Sequence, residues 1–272
     1  MPRLAIIIVN FNAKQHLEHC LASIASAPPA TPHEIVVVDN ASTDGSAAAV
    51  RARWPAIAVH DVPDNRGFSA ANNIGIRATA GELLLLLNND TTVPPGAVDA
   101  LVARLDARPD VAAAGPRLVD AAGNPELSFG PMISPLGELR QKVVTRLNAR
   151  GTPPVVAWVR RAVRREQEVD WVSGACLLVR RRAAEEAGLL DERYFLYTED
   201  VDFCAALRAH GHRILFTPAS EVVHLRGRSR ATAPAASHAA YRRSHLAFYA
   251  KHHPRWAPVL RLYLRIRGQL PR

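Results

Sequence analysis

Two groups of polar side chains in this sequence have the types and spacing for chemistry. Asp39 stands with Asn88, Asn89 and Asp90 in the first half of the chain, and Glu199 and Asp200 stand with His224 in the second. One aspartate and one histidine complete a magnesium or manganese site when diphosphate oxygens and water fill the remaining positions. Such an ion neutralises the charge that builds on a departing diphosphate. A carboxylate kept apart from the metal can then take the proton of an attacking hydroxyl as general base. The combination suits displacement of a nucleoside diphosphate from a sugar carbon, with no covalent nucleophile. Each group also has a plainer reading. Residues 88–90 could be a polar turn, and Glu199, Asp200 and Asp202 suit the first turn of a helix N-capped by Thr198.

The elements that must position these residues begin with five consecutive leucines, residues 83–87, which run straight into Asn88-Asn89-Asp90 and the turn-forming Pro94-Pro95-Gly96. A run of that length is too short to span a membrane and suits a strand buried on both faces, as in a parallel sheet. In open α/β sheets, ligands gather beyond the carboxyl ends of the strands. Residues 4–9, ending at Asn10-Phe11-Asn12, and 34–38, ending at Asp39, read as two more such strands. Between them Leu17, Cys20, Leu21 and Ile24 recur at helical spacing, which makes a right-handed βαβ unit.

Helices are expected over 47–54 and 95–108, and short strands over 57–59 and 111–118. The glycine turn at Asn65-Arg66-Gly67 opens a helix towards Ala80, whose free N–H groups and positive dipole end would suit phosphates; an ordinary capped helix is the alternative. Residues 170–179 read as one strand, 181–188 as a helix stopped by glycine, 199–210 as a helix and 214–216 as the last strand. The stretch 131–168 has a different texture, with Leu136, Leu139, Val143 and Leu147 on one helical face and Arg160, Arg161, Arg164 and Arg165 further on. It reads as an inserted lid or interfacial segment, or as a solvated helix pair.

Composition narrows the class. At 272 residues with 48% hydrophobic and 22% charged residues, the chain suits one large α/β domain or two fused halves. No run approaches transmembrane length and the N-terminal apolar run is too short for a secretory signal. Cys20, Cys176 and Cys204 are odd in number and widely spaced, which favours a reducing, cytoplasmic setting. The glycine of residues 39–50 falls at the seventh position of a calcium-loop pattern instead of the sixth, and the twelfth is Val50 instead of Glu, so the stretch fits an EF-hand poorly. There is no GxGxxG after the first strand, no P-loop, no GxSxG elbow and no HExxH. The net charge is +9, yet no Asp or Glu follows Glu221 while 11 Lys and Arg do, leaving the first 221 residues at −2. The asymmetry points to an anionic partner: a membrane surface, nucleic acid or a phosphorylated substrate.

Five motifs in order carry a resemblance: Val9-Asn10-Phe11-Asn12, Val38-Asp39-Asn40-Ala41-Ser42-Thr43-Asp44-Gly45, Asn65-Arg66-Gly67-Phe68 through Asn73-Ile74-Gly75, Leu87-Asn88-Asn89-Asp90, and Thr198-Glu199-Asp200-Val201-Asp202. Over residues 4–230 the chain resembles the family 2 glycosyltransferases, most of all their rhamnosyltransferase-like branch. The resemblance implies an α/β GT-A fold: a mixed, mostly parallel central sheet flanked by helices, with a Rossmann-like nucleotide-binding half fused to an acceptor half. It implies a catalytic domain over 1–228, divided into a nucleotide-sugar half (1–128), a basic insertion (129–169) and an acceptor and base half (170–228), followed by a basic tail (229–272).

Carried over residue by residue, the resemblance places Asp39 against the pyrimidine and Asn10 beneath the nucleoside. Asn65 and Asn73 belong to the segment closing over ribose and diphosphate. Asn88, Asn89 and Asp90 match the family's DxD element, with Asp90 on a divalent Mn2+ or Mg2+ ion; an amide at position 88 departs from the pattern. His224 matches a histidine that reaches the metal in some members, with Ser229 nearby. Asp200 matches the catalytic base for inverting single displacement, Glu199 helps to position the acceptor, and Trp171 to Gly174 border its cleft.

The activity so implied is metal-dependent transfer of a sugar, rhamnose or another, from a dTDP- or UDP-linked donor to a lipid-linked saccharide in cell-wall or surface polysaccharide assembly. In the tail, Trp256, Val259, Leu260, Leu262, Tyr263 and Ile266 interleave with Arg261, Arg265 and Arg267, as in a segment lying on anionic lipid at the inner face of the plasma membrane. A basic helix packed on the domain is the alternative. Three rival functions stand beside the transferase. A nucleotidyltransferase on a similar sheet lacks its glycine-rich basic loop here, and a non-catalytic scaffold is disfavoured by intact Asp90, Asp200 and His224. A nucleic-acid binder has no recognition motif.

Overall fold

The leucine run forms β4 (Leu83–Asn88), whose first five residues are buried. Its neighbours are β1 (Leu4–Asn10), parallel on one side, and β10 (Cys176–Arg180), antiparallel on the other. The computed structural model describes residues 2–225 and 234–271; Ser229 and the expected domain boundary at 228–229 lie outside them. β2 (His33–Asp39) and β3 (Ala58–Asp61) extend the parallel side, and β6 (Val111–Val119), β11 (Arg213–His224) and β5 (Thr91–Thr92) complete the order β3-β2-β1-β4-β10-β6-β11-β5. β8 (Gln167–Val169) pairs with β11, and β7 (Phe129–Gly130) with β9 (Trp171–Val172) in a small second sheet. The central sheet is mixed because β10 runs against both its neighbours while β6 and β11 are parallel.

Side chains alternate across β4, so the leucines serve two cores. Leu83, Leu85 and Leu87 pack with α1 (Lys14–Ser26) and α4 (Ala97–Asp106) through Leu17, Leu21, Leu101 and Leu105. Leu84 and Leu86 share the opposite core with Ile76 of α3 (Gly67–Arg77), with Phe203 and Leu207 of α8 (Glu199–Ala209), and with Phe248 and Tyr249. Those last two lie on α9 (Pro234–His252), and Leu264, also buried, lies on α10 (Ala257–Ile266). The segment expected as a basic tail is therefore packed along one side on the half of the protein that bears α8. The insertion contains α5 (Pro135–Ala149) and α6 (Pro153–Ala162). It is tied to α9 by Glu138, which accepts from His245 Nε2 at 2.9 Å and Tyr249 Oη at 2.8 Å.

Three expectations are corrected. The single strand over 170–179 is broken into β9 and β10, because the amides of residues 173 and 174 turn away to Ser128 and Asp200. The last strand is four times longer than 214–216 and carries His224 at its end, with a register shift between Thr217 and Glu221. Thr198 stands at the N-cap of α8, but with φ +71° its hydroxyl makes no capping bond.

The two halves are clasped by α3 against the loop that precedes α8. Phe68 N–H donates to Phe195 O at 2.7 Å, and Ser69 Oγ donates to Tyr194 O at 2.8 Å. Asn73 exchanges two bonds with the backbone of Leu190. Gly67 makes the approach possible, since it has φ +84° and a Cβ there would lie 2.5 Å from Phe195 O. Gly67→Ala combines a left-handed backbone cost with overpacking, so it should lose about 2–4 kcal/mol of stability in urea unfolding, whereas Gly123→Ala, at φ +78° with open space around it, should lose only the backbone part.

Candidate active site

The site is assembled at the carboxyl edge of the sheet by strand register. Asn10 pairs with Asp39 across β1 and β2, and Val9 with Asn88 across β1 and β4. Asn10 is fully buried and links the first group of side chains: its amide donates to Asp39 Oδ2 at 3.3 Å and Ser42 Oγ at 3.1 Å, and its Oδ1 accepts from Asn89 Nδ2 at 2.9 Å. Asp39 Oδ1 in turn accepts from the Ser42 amide at 2.8 Å.

Beyond Asn88 the chain reverses through Asp90 into β5, which pairs antiparallel with the end of β11, Thr91 opposite His224. That pairing sets His224 Nε2 3.3 Å from Asp90 Oδ1 and 3.4 Å from the Asn88 amide. Burial opposes the imidazolium, but hydrogen bonds and charge from Asp90 and Glu126 outweigh it and hold the His224 pKa at about 9. Burial likewise opposes the Asp90 charge, and the same contact with His224 brings its pKa below the usual carboxylate range.

Asp90 and His224 suit a divalent ion. Neighbouring donors of an octahedral ion with bonds of about 2.1 Å lie roughly 3 Å apart, close to the 3.3 Å between Asp90 Oδ1 and His224 Nε2. Among the described residues no cluster of three His, Cys, Asp or Glu side chains could hold an ion unaided, so substrate oxygens and water would have to complete the shell.

Asp200 reaches the same edge from the other half. Asn88 N–H donates to Ala175 O at 2.9 Å, and the preceding residue, Gly174, donates its N–H to Asp200 Oδ2 at 2.9 Å. Asp200 Oδ1 accepts from the Val201 amide at 2.8 Å. A Cβ on Gly174 would lie 3.2 Å from the Asp200 Cβ, so glycine lets the carboxylate sit against the strand end. The two residues before Glu199, Tyr197 and Thr198, both have φ near +70°, a costly backbone conformation of the kind concentrated at functional sites. Glu199 is buried, and that burial together with the Asp200 charge raises its pKa well above the ordinary value.

A metal-compatible Asp–His pair and a backbone-held carboxylate thus share one strand edge. The sequence model of the family described as "Glycosyltransferase like family 2" matches residues 2–258. The chain belongs to that family.

Among curated proteins, this glycosyltransferase is 32% identical to the N-acetylglucosaminyl-diphospho-decaprenol L-rhamnosyltransferase of Mycobacterium tuberculosis (strain CDC 1551 / Oshkosh), over 99% of this chain and 94% of that protein. It is 29% identical to the O-antigen biosynthesis protein RfbC of Myxococcus xanthus, over 84% of this chain and 18% of that one. Two solved structures share its GT-A fold. A Pyrobaculum calidifontis mannosyltransferase in complex with GDP-Man and Mn2+ matches at TM-score 0.61 and 21% identity, covering 95% of this chain and 68% of that one. GalNAc-T7 with UDP, GalNAc and Mn2+ matches at TM-score 0.61 and 18% identity, covering 81% and 42%.

Not every residue singled out in the sequence reaches the open edge of this glycosyltransferase. Asn65 Oδ1 accepts from Asn40 Nδ2 and from the Gly67 amide, which shapes the turn before α3. Asn73 is spent on the Leu190 backbone and Glu192 Oε1, so it holds the clasp between the halves. The expectation that α3 offers free N–H groups to phosphates is overturned: the Gly67 and Phe68 amides are bonded to Asn65 and Phe195.

Glu126 was missed, and its local sequence carries no signal, since Pro-Glu-Leu-Ser reads as an ordinary surface turn. It is brought in because its N–H bonds to Leu118 O at 2.8 Å on β6, whose last residue, Val119, pairs with Val223. Glu126 Oε2 then lies 3.5 Å from His224 Nδ1, with its side chain only 9% exposed.

Because the folded-state pKa of His224 is raised from 6.5 to about 9, its charge contributes stability that is fully present below pH 6.5 and lost as pH rises through 9. In chelator-treated protein the melting temperature should fall across that window, and His224→Gln should flatten the fall; a wild-type profile flat from pH 6 to 9.5 would contradict the charged pair.

Proposed function

We propose that this glycosyltransferase moves a sugar such as rhamnose from a dTDP- or UDP-linked donor to a lipid-linked saccharide during assembly of cell-wall or surface polysaccharide, at the inner face of the plasma membrane. The observation that carries the reading is the convergence of the Asp90–His224 pair and Asp200 on one strand edge, reached through Asn88, Ala175 and Gly174. Similarity over nearly the whole chain to a rhamnosyltransferase named for a decaprenol-linked acceptor supports the choice of sugar and acceptor.

Asp39, Asn10 and Asn89 form the floor for the nucleoside, a linked set of donors and acceptors at the ends of three adjacent strands. Asp90 and His224 Nε2 would hold a divalent ion, with the Glu126 carboxylate 3.5 Å from Nδ1 on the far side of the ring, where its charge favours the tautomer protonated at Nδ1. When bound, that ion supplies positive charge to the departing diphosphate. Asp200, oriented by the Gly174 and Val201 amides, takes the proton of the acceptor hydroxyl as its oxygen bonds to the anomeric carbon. The bond from that carbon to the diphosphate breaks on the opposite side, so the configuration inverts. Glu199, whose pKa burial and the Asp200 charge raise well above the ordinary value, stands beside the base and helps to position the acceptor.

Asp200→Asn should lower transfer by about 10²–10⁴-fold while the melting shift produced by donor nucleotide and Mn2+ is kept; normal turnover would remove Asp200 from its role. Glu126→Gln should weaken Mn2+ binding in the presence of nucleoside diphosphate by about 10–100-fold in calorimetry, and unchanged affinity would limit Glu126 to packing. Melting shifts with dTDP, UDP and GDP, each with and without Mn2+, should be largest for one pyrimidine nucleotide plus metal; a preference for GDP would overturn the donor assignment.

A further inference from the structure

α10 has two apolar sides, and the protein covers only one of them. Leu264 is buried, and Ala257 and Leu260 pack against the core of the acceptor half. The other side carries Val259, Leu262, Tyr263 and Ile266, with Trp256 just before the helix, at spacings of three and four that put them along one stripe. All five are exposed, from 51% for Trp256 and Tyr263 to 77% for Ile266. Arg255 and Arg267 stand at the two ends of the helix, and Arg261 and Arg265 occupy the sector beyond the stripe; all four are exposed.

The charge selects the occupant. No acidic residue follows Glu221, so a second copy meeting this face through the same face would set four arginines against four arginines. An anionic lipid surface accepts both parts of the pattern, the stripe entering the acyl boundary while the guanidinium groups reach phosphates. With 10 residues the helix is far too short to cross a bilayer, and among the described residues no other helix is long and apolar enough to do so. It would lie in the plane of the surface.

The helix pair is also fastened to the part of the protein that bears the base. On α9, Ser244 Oγ donates to Leu196 O at 2.8 Å, and Lys251 Nζ and His252 Nε2 lie 2.8 and 2.6 Å from the carboxylate of Asp202, two residues along α8 from Asp200. Asp202 is buried and also accepts from Tyr194 Oη at 3.1 Å. We infer that α10 is a docking foot for anionic membrane, rigidly joined through α9 to the acceptor side of the cleft, so that it presents this side to lipid-borne acceptors. The inference deepens the lipid-linked reading of the acceptor, but its test does not depend on transfer.

Full-length protein should float with vesicles of phosphatidylcholine mixed with phosphatidylglycerol and bind phosphatidylcholine alone weakly. Leu262→Ser/Ile266→Ser should reduce flotation by about tenfold or more, and Arg261→Gln/Arg265→Gln should erase the preference for the anionic vesicles. Because these side chains are exposed, both variants should keep the wild-type melting temperature and the same melting shift with donor nucleotide and Mn2+. Failure of wild type to float, or equal flotation of the Ser variant, overturns the proposal. A dimer in sedimentation that the Ser variant loses would assign the stripe to a second copy and overturn it as well. Loss of the nucleotide shift in wild type would instead strike at the donor reading and leave the foot standing.

Discussion

Burial of the leucine strand on both faces holds the rest in place. Removing an average leucine side chain from water stabilises by about 2 kcal/mol, so five of them contribute on the order of 10 kcal/mol, comparable to the net stability of a whole domain. A strand so anchored cannot slip by one residue without exchanging its two cores. It therefore delivers Asn88, Asn89 and Asp90 to a defined height at the sheet edge, level with Asn10 and Asp39 by register. The polar groups there need not stabilise the fold, which leaves their geometry to serve a ligand.

Across that edge the electrostatics are arranged in opposition. Asp90, His224 and Glu126 make a row of anion, cation and anion with the imidazole in the middle. The row arises from the return of residues 119–126 beside β6 and from the pairing of β5 with β11. On the other side, burial and the neighbouring Asp200 carboxylate raise the Glu199 pKa well above the ordinary value. The site thus separates a place for positive charge from a place where a proton can be received.

The half that bears α8 is joined to the half that bears β1–β4 by the β4–β10 pairing, by the shared core and by a set of specific polar contacts. α3 gives up its N-terminal amides to the turn at Asn65 and to Phe195, so the helix end that a sequence reader would offer to phosphates works instead as a clasp. The same loop, residues 189–198, meets α9 from the far side, which places the C-terminal helices in mechanical contact with the segment bearing Asp200.

Much of this was legible from residue order. Uninterrupted apolar runs ending in Asn, Asp or both marked β1, β2 and β4, because a strand buried on both faces leaves an unbroken apolar run that a half-exposed strand does not, and the five motifs pointed to the family that the match over residues 2–258 bears out. The boundary of β11, the break at Gly174 and the covered and uncovered sides of α10 were not legible, since each depends on which neighbour a side chain meets. Residue identity and spacing determined the strands, the helices and the kinds of chemistry at hand. Tertiary structure alone decided that Glu126 stands behind His224, that Asn73 faces a loop and that Asp200 shares an edge with Asp90, because each of these brings together residues 98 to 117 positions apart, and that is set by sheet order, a property of the packed whole.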